Sequence, residues 1–217
     1  MNSTASAPIL VVKDLCFAYP GQPPLVSGWS ASILAGLTQV YGDEGSGKST
    51  LLRLMAGRLP AKGQLSLAGE SSTPDPASYQ RRVFFVDPAT DQFDKVTATD
   101  CASTLREGDA RFDEARWASC VQGFSLAPHL AKPMYMLSTG SKRKVWLAAA
   151  LASGRALTLL DEPTAALDNA SIRFLWRALA DVAQSGDGRA IVVASAARVD
   201  AVALSALIEL PLLASPP

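Results

Sequence analysis

The stretch that most restricts this chain is Gly42-Asp43-Glu44-Gly45-Ser46-Gly47-Lys48-Ser49, which fills every position of the pattern GxxxxGK[ST]. A strand-like stretch, residues 37–41, precedes it, and LLRLMAG follows with helical spacing and Gly57 as its closing residue. Strand, glycine-rich loop and helix in that order are what a phosphate cradle needs. The glycines let successive main-chain N–H groups converge on phosphate oxygens, and the helix N-terminus adds partial positive charge. Lys48 is then placed for the β- and γ-phosphates, and the Ser49 hydroxyl for Mg2+. A glycine turn that caps a helix by chance is the bland alternative, and the ordered context weighs against it.

Such a loop needs a parallel sheet behind it, and the rest of the sequence offers one. RRVFFV (81–86), ALTLL (156–160) and IVVA (191–194) are largely apolar and read as strands buried on both faces. Helical stretches alternate with them: SKRKVWLAAALAS, closed by Gly154, and IRFLWRALADVAQS. Residues 9–12 and 15–17 read as the start of a β-rich edge, YPGQPP as a turn-rich stretch, and residues 64–69 as a strand and turn. From about residue 95 to 136 the pattern becomes helical and more polar. The expectation is one α/β domain over residues 1–217, with a nucleotide-binding core (1–94 and 137–217) and an inserted helical subdomain (95–136).

ALTLL runs into Asp161 and Glu162. Carboxylates that emerge at the C-terminal edge of a parallel sheet sit where ligands bind in such folds. Asp161 is suited to hold Mg2+, directly or through water, and Glu162 to orient or deprotonate an attacking water. Read alone, an aspartate after a strand is more often a helix N-cap. The lysine loop gives the pair its chemical meaning.

Composition narrows the partners. The 20 basic and 20 acidic residues cancel, so no global field draws this chain to nucleic acid. Cys16, Cys101 and Cys120 are odd in number and form no CxxC pair, as reduced thiols of a cytosolic protein would. MNSTASAPIL lacks the basic start and apolar centre of a secretory signal. Residues 201–214 are lipid-like but interrupted by Ser205, Glu209 and Pro211, too broken to span a bilayer. The closing ASPP reads as a frayed tail.

Taken in order, GDEGSGKST, the helical insert, LSTGS (137–141) and LLDEPTAALD (159–168) resemble the nucleotide-binding subunits of ATP-binding cassette transporters. The resemblance covers about residues 8–212. It implies the P-loop NTPase fold of that family, with a mostly parallel core sheet, an N-terminal antiparallel β portion and an inserted helical subdomain. It also implies a head-to-tail dimer, with itself or with a second ATP-binding subunit, that sandwiches ATP and Mg2+. Each nucleotide then lies between Gly42, Asp43, Glu44, Gly45, Ser46, Gly47, Lys48, Ser49 and Thr50 of one subunit and Ser138, Thr139 and Gly140 of the other. Tyr19 stands where the family stacks an aromatic on adenine, with an ordinary core aromatic as its alternative. Asp168 matches the acidic residue of the loop that crosses the dimer interface, and an N-cap is its alternative. Lys142, Arg143 and Lys144 read as a solvated helix face.

The implied work is ATP hydrolysis at the cytoplasmic face of the inner (plasma) membrane, driving a separate transmembrane permease. The short chain resembles small exporter ATPases such as the haem-exporter type of cytochrome c biogenesis. A different class, an ATP-gated regulatory or assembly module with little hydrolysis, is the alternative. A soluble member of the family acting on DNA or ribosomes would need a second cassette or a basic arm.

LSTGS departs from the family's usual LSGGQ, with Thr139 in place of glycine and Ser141 in place of glutamine, and two further places depart from the family. Its Mg2+-touching glutamine after the strand RRVFFV has Asp87 in its place, with Gln92 nearby but five residues late. Its histidine after the strand IVVA has Ser195, and the chain's one histidine, His129, lies in the helical insert. Serine is shorter and takes no proton near neutral pH. The expectation is therefore MgATP binding with slow turnover, and a gain in rate when residue 195 becomes histidine.

Overall fold

The computed structural model describes residues 7–73 and 75–212. In chain order the elements begin with β1 (Leu10–Phe17), β2 (Val26–Ile33), β3 (Gly36–Tyr41) and α1 (Lys48–Met55). Then come β4 (Lys62–Leu67), the short β5 (Glu70–Ser71), α2 (Pro76–Arg81) and β6 (Val83–Phe85). The helices α3 (Ala98–Arg106) and α4 (Glu114–Gly123) lead to α5 (Thr139–Ala152), β7 (Leu157–Asp161), α6 (Asn169–Gln184), β8 (Ala190–Ser195) and β9 (Ala206–Glu209). Strands ordered β2-β1-β4-β5 form an antiparallel sheet, and strands ordered β6-β7-β8-β3-β9 a parallel one. The chain has the α/β fold that its loop and strand pattern imply.

Alternation along the strands gives the parallel sheet two distinct faces. Val40, Leu159, Val192 and Ala194 pack with Leu51 and Met55 of α1. Leu37, Leu160, Ile191 and Val193 pack on the other side with Leu147 of α5 and Leu175 and Leu179 of α6. In α6 the buried residues Ser171, Leu175, Leu179 and Val182 fall at helical spacing and make the stripe that seats it. The helices α3 and α4 pack chiefly on α5. Burial pushes the thiols of Cys101 and Cys120 up to about 12, which leaves them inert.

Several local expectations change. The two edge runs are one strand, β1, with its register shifted around Asp14 at φ 50°. Opposite the shift stands Gly63, where a Cβ would lie 2.6 Å from the Asp14 carbonyl oxygen, so only glycine fits. RRVFFV is a strand only over β6, because Asp75 caps a short helix: its carboxylate accepts from Ser78 N–H at 2.9 Å, and that helix runs through Arg81. Strands β2 and β9 lie in stretches that carry no clean alternation. Gly57 closes α1 at φ 66°, its N–H donating to Leu54 O. Gly154 instead permits a close approach, since a Cβ there would meet the Arg111 carbonyl oxygen at 2.5 Å. The end of α5 is capped by the buried Arg189, which donates to the Leu151 carbonyl at 2.7 Å and to the carbonyls of Ala150 and Ser153. Among the described residues no helix is long and apolar enough to cross a membrane. The first residues of MNSTASAPIL and the closing ASPP lie outside the described residues.

Candidate active site

The parallel strands deliver their chemistry at one edge. The loop after β3 turns through Gly45 (φ 77°) and Gly47 (φ 96°), conformations that suit glycine. Gly47 also lies against Leu25, where a Cβ would meet Cδ1 at 2.2 Å. Gly47 caps α1 without any side-chain hydrogen bond, so the first N–H groups of the helix point outward unclaimed by a cap. Lys48 is 7% exposed and donates to the carbonyls of Gly42 at 2.8 Å and Asp43 at 2.9 Å. Its Nζ also lies 3.5 Å from Glu162 Oε1.

Among the described residues, two buried oxygens in this region have no hydrogen-bond partner: Ser46 Oγ in the loop and Asp161 Oδ1 at the end of β7. Buried polar groups are rarely left in that state. Unsatisfied hard oxygens beside a lysine and a row of free amides fit a phosphate–Mg2+ ligand, with Ser49 and Asp161 to hold the metal. Asp43 and Glu44 are exposed on the outer side of the loop.

Glu162 sits just past β7 with φ 43°, a left-handed conformation that costs a non-glycine residue about 1–2 kcal/mol. Its N–H donates to the Ala194 carbonyl at 2.9 Å. Its carboxylate accepts from the main-chain N–H of Ala196 at 3.0 Å. Arg143 of α5 donates to the Asp161 carbonyl at 3.1 Å and also to the Glu162 carbonyl. Burial lowers the Arg143 pKa, while the charges of Asp161 and Glu162 act to raise it. The basic trio is not a solvated face: Lys142 pairs with Asp94, and Lys144 pairs with Asp168 at 2.6 Å.

Ser195 requires a correction. It is 6% exposed, and its Oγ donates to the Ala197 carbonyl at 2.7 Å while accepting from Gln39 Nε2 at 2.8 Å. Strand alternation puts it on the α5–α6 face with Ile191 and Val193, away from Glu162. The residue whose main-chain N–H meets the Glu162 carboxylate is Ala196. Asp87 also has another partner: Arg53 Nε donates to one carboxylate oxygen at 2.8 Å and Ala89 N–H to the other at 3.0 Å. Burial alone would push the Asp87 carboxyl up, but the bonds from Arg53 and Ala89, with the Arg53 charge, hold it below the usual range.

The remaining candidates occupy defined places. Tyr19 lies edge-on to Phe17, 42% exposed, with its hydroxyl 3.1 Å from Thr50 Oγ1 on the first turn of α1. Ser138 caps α5, its Oγ accepting from Ser141 N–H at 3.1 Å, with Thr139 exposed beside it. Gly140 passes the 163–168 loop so closely that a Cβ would meet the Ala166 carbonyl oxygen at 2.3 Å. Asp168 caps α6 through Ser171 N–H at 2.8 Å, and its bond to Lys144 contributes most to holding its carboxyl far below the usual range. Gln39, Arg143 and Ala196 escape sequence reading because their roles run through buried side chains or main-chain atoms.

Comparison with known proteins agrees with this geometry. Residues 32–165 match the family described as ABC transporter. The cytochrome c biogenesis ATP-binding export protein CcmA of Cupriavidus pinatubonensis is 35% identical over 78% of this chain and 76% of its own length. The cobalt import ATP-binding protein CbiO of Rhodobacter capsulatus is 34% identical over 82% of this chain and 67% of its own. Among solved structures, an ATP-binding subunit of an ABC transporter superposes with a TM-score of 0.74 at 22% identity, covering 86% of this chain and 79% of that one. The cbiO1 structure from Clostridium perfringens gives a TM-score of 0.64 at 23% identity over 88% of this chain and 79% of its own. One relative is named for export and another for import, so what they share is the ATP-binding subunit and not the cargo. The chain belongs to the ABC transporter family, as one of its ATP-binding subunits.

Proposed function

We propose that this chain binds MgATP across a head-to-tail dimer, with itself or a second ATP-binding subunit, and hydrolyses it slowly to drive a separate membrane-spanning permease at the cytoplasmic face. The observation that carries the reading is the convergence of Lys48 and Glu162, 3.5 Å apart, beside the partnerless oxygens of Ser46 and Asp161. The names of the relatives, an export and an import ATP-binding protein, support the permease.

In this reading Lys48 exchanges the carbonyls of Gly42 and Asp43 for phosphate oxygens, and the free amides of the loop and of α1 share the load. Bound Mg2+ supplies neutralisation of charge on the β- and γ-oxygens, with Ser49 and Asp161 as its protein ligands. Glu162, released from Lys48, orients the attacking water and accepts its proton. Ser138, Thr139 and Gly140 at the start of α5 close the partner's site, and Tyr19 flanks the adenine end. Residues 95–136 act as the helical unit that carries this start of α5 toward the partner.

Slow turnover follows from residue 196. The position that faces Glu162 carries a methyl group, with no side-chain polar atom to share the water. Loss of one positioned polar group costs about 10²–10³ in rate. The same observation favours the second reading, an ATP-gated assembly or regulatory module. Glu162→Gln decides between them. Slow hydrolysis by the wild type that the substitution removes, with an MgATP-dependent dimer retained on size exclusion, supports the ATPase. Equal turnover in both proteins would mean that Glu162 is not the residue that handles water.

A further inference from the structure

An amide side chain sits in the middle of the buried strand β3, and Gln39 is 0% exposed there. Burying an amide is costly unless its hydrogen-bonding groups are satisfied. Gln39 satisfies both its nitrogen and its oxygen within one short segment. Its Nε2 donates to Ser195 Oγ at 2.8 Å and to the Ala197 carbonyl at 2.7 Å. Its Oε1 accepts from Val199 N–H at 3.2 Å. Ser195 closes the ring by donating to the same Ala197 carbonyl at 2.7 Å. The amide therefore stitches the turn at 195–199 to the neighbouring strand.

That turn presents the Ala196 N–H to Glu162 on the opposite face of the sheet. Residue 196 offers no polar side chain, so its main-chain N–H is what the turn gives the carboxylate. Lys48 is the other partner of that oxygen, and ATP would claim Lys48. We infer that Gln39 and Ser195 are positioning residues for Glu162: they fix the turn whose amide holds the catalytic carboxylate in place. The inference rests on the reading of Glu162 as the residue that handles the attacking water. A misplacement of about 1 Å at such a group costs on the order of 10²-fold in rate, so partial loosening of the turn should cost about tenfold.

The test compares Gln39→Leu, Ser195→Ala and the hydroxyl-retaining Ser195→Thr with wild type and Glu162→Gln. Three quantities are read: amide exchange of residues 195–199 without nucleotide, affinity for MgATP, and kcat with KM. Gln39→Leu should speed exchange across the turn by about tenfold, keep MgATP affinity within about twofold, and lower kcat about tenfold. Ser195→Ala should follow it and Ser195→Thr should resemble wild type. If Gln39→Leu does not fold, the two Ser195 variants decide the matter by the same readings. Wild-type exchange and kcat in Gln39→Leu and Ser195→Ala, with Glu162→Gln inactive, would overturn the inference and leave the role of Glu162 standing. Undiminished turnover in Glu162→Gln would overturn both. Loss of MgATP affinity in step with rate would reduce Gln39 to a structural residue and end the proposal.

Discussion

The main-chain N–H of Ala196 donates to the Glu162 carboxylate at 3.0 Å, and the same oxygen lies 3.5 Å from Lys48 Nζ. One carboxylate thus ties the turn after β8 to the phosphate loop. Lys48 is shared between that oxygen and two loop carbonyls. The loop is held in shape by the cation that a triphosphate would take over.

Lys48→Ala should abolish measurable MgATP binding, because it removes the cation from the centre of the cradle. The same change takes the donor from the Gly42 and Asp43 carbonyls, so the free protein should also melt lower. Titration with a fluorescent ATP analogue measures the first effect. Near-normal affinity would mean that the loop is not a phosphate cradle.

Asp87 and Arg53 form a partly buried pair, with side chains 32% and 31% exposed. The folded protein holds the Asp87 carboxyl below its ordinary value of 3.8. A depressed carboxyl stabilises the fold fully above the unfolded value, and that stability fades as the pH falls through the folded value. Asp87→Asn should therefore cost about 0.5–1 kcal/mol at pH 7. Below about pH 4 the wild type should lose stability more steeply than the variant. Denaturant unfolding across acid pH measures both, and parallel curves would show that the pair contributes nothing.

Much of this architecture can be read from residues alone, and the failures have physical causes. GDEGSGKST locates itself because glycine, lysine and serine each meet a distinct demand of phosphate binding. Asp161 and Glu162 stand out because charge at the end of an apolar run is costly unless used. Ser195 misleads because β8 is buried on both faces: with no polar alternation, the sequence does not show which side residue 195 takes. Arg143 hides in a basic run whose members find different partners, Asp94, the carbonyls of Asp161 and Glu162, and Asp168. Gln39 looks like an ordinary polar residue in a strand, since its partners lie more than 150 residues away.

Arg143→Met should destabilise the protein by about 1.5–3 kcal/mol, the range for hydrogen bonds to charged groups. Its guanidinium holds the carbonyls of Asp161 and Glu162 just where the chain adopts its left-handed turn. Arg143→Lys keeps the charge but not the planar fork, so it should fall between the two. Denaturant midpoints with unchanged slopes test the order, and a variant as stable as wild type would deny that Arg143 braces the turn.

The last prediction separates residues 195 and 196. Ser195→His would drive an imidazole into the space shared by Gln39 and the Ala197 carbonyl, on the face away from Glu162. Overpacking of this kind costs about 1–3 kcal/mol, so the variant should be less stable and no faster. Ala196 is exposed, and its backbone already meets the Glu162 carboxylate. Ala196→His would place a hydrogen-bonding ring beside that carboxylate without disturbing the core. Steady-state hydrolysis should rise about tenfold or more, out of the 10²–10³ that one positioned group supplies. A new ionisation near the ordinary histidine value of about 6.5 should enter the pH–rate profile. The gain should vanish when Glu162→Gln is added, because both residues act on the same water. The opposite pattern, a faster Ser195→His and an unchanged Ala196→His, would show that the end of β8 turns its other face to the nucleotide.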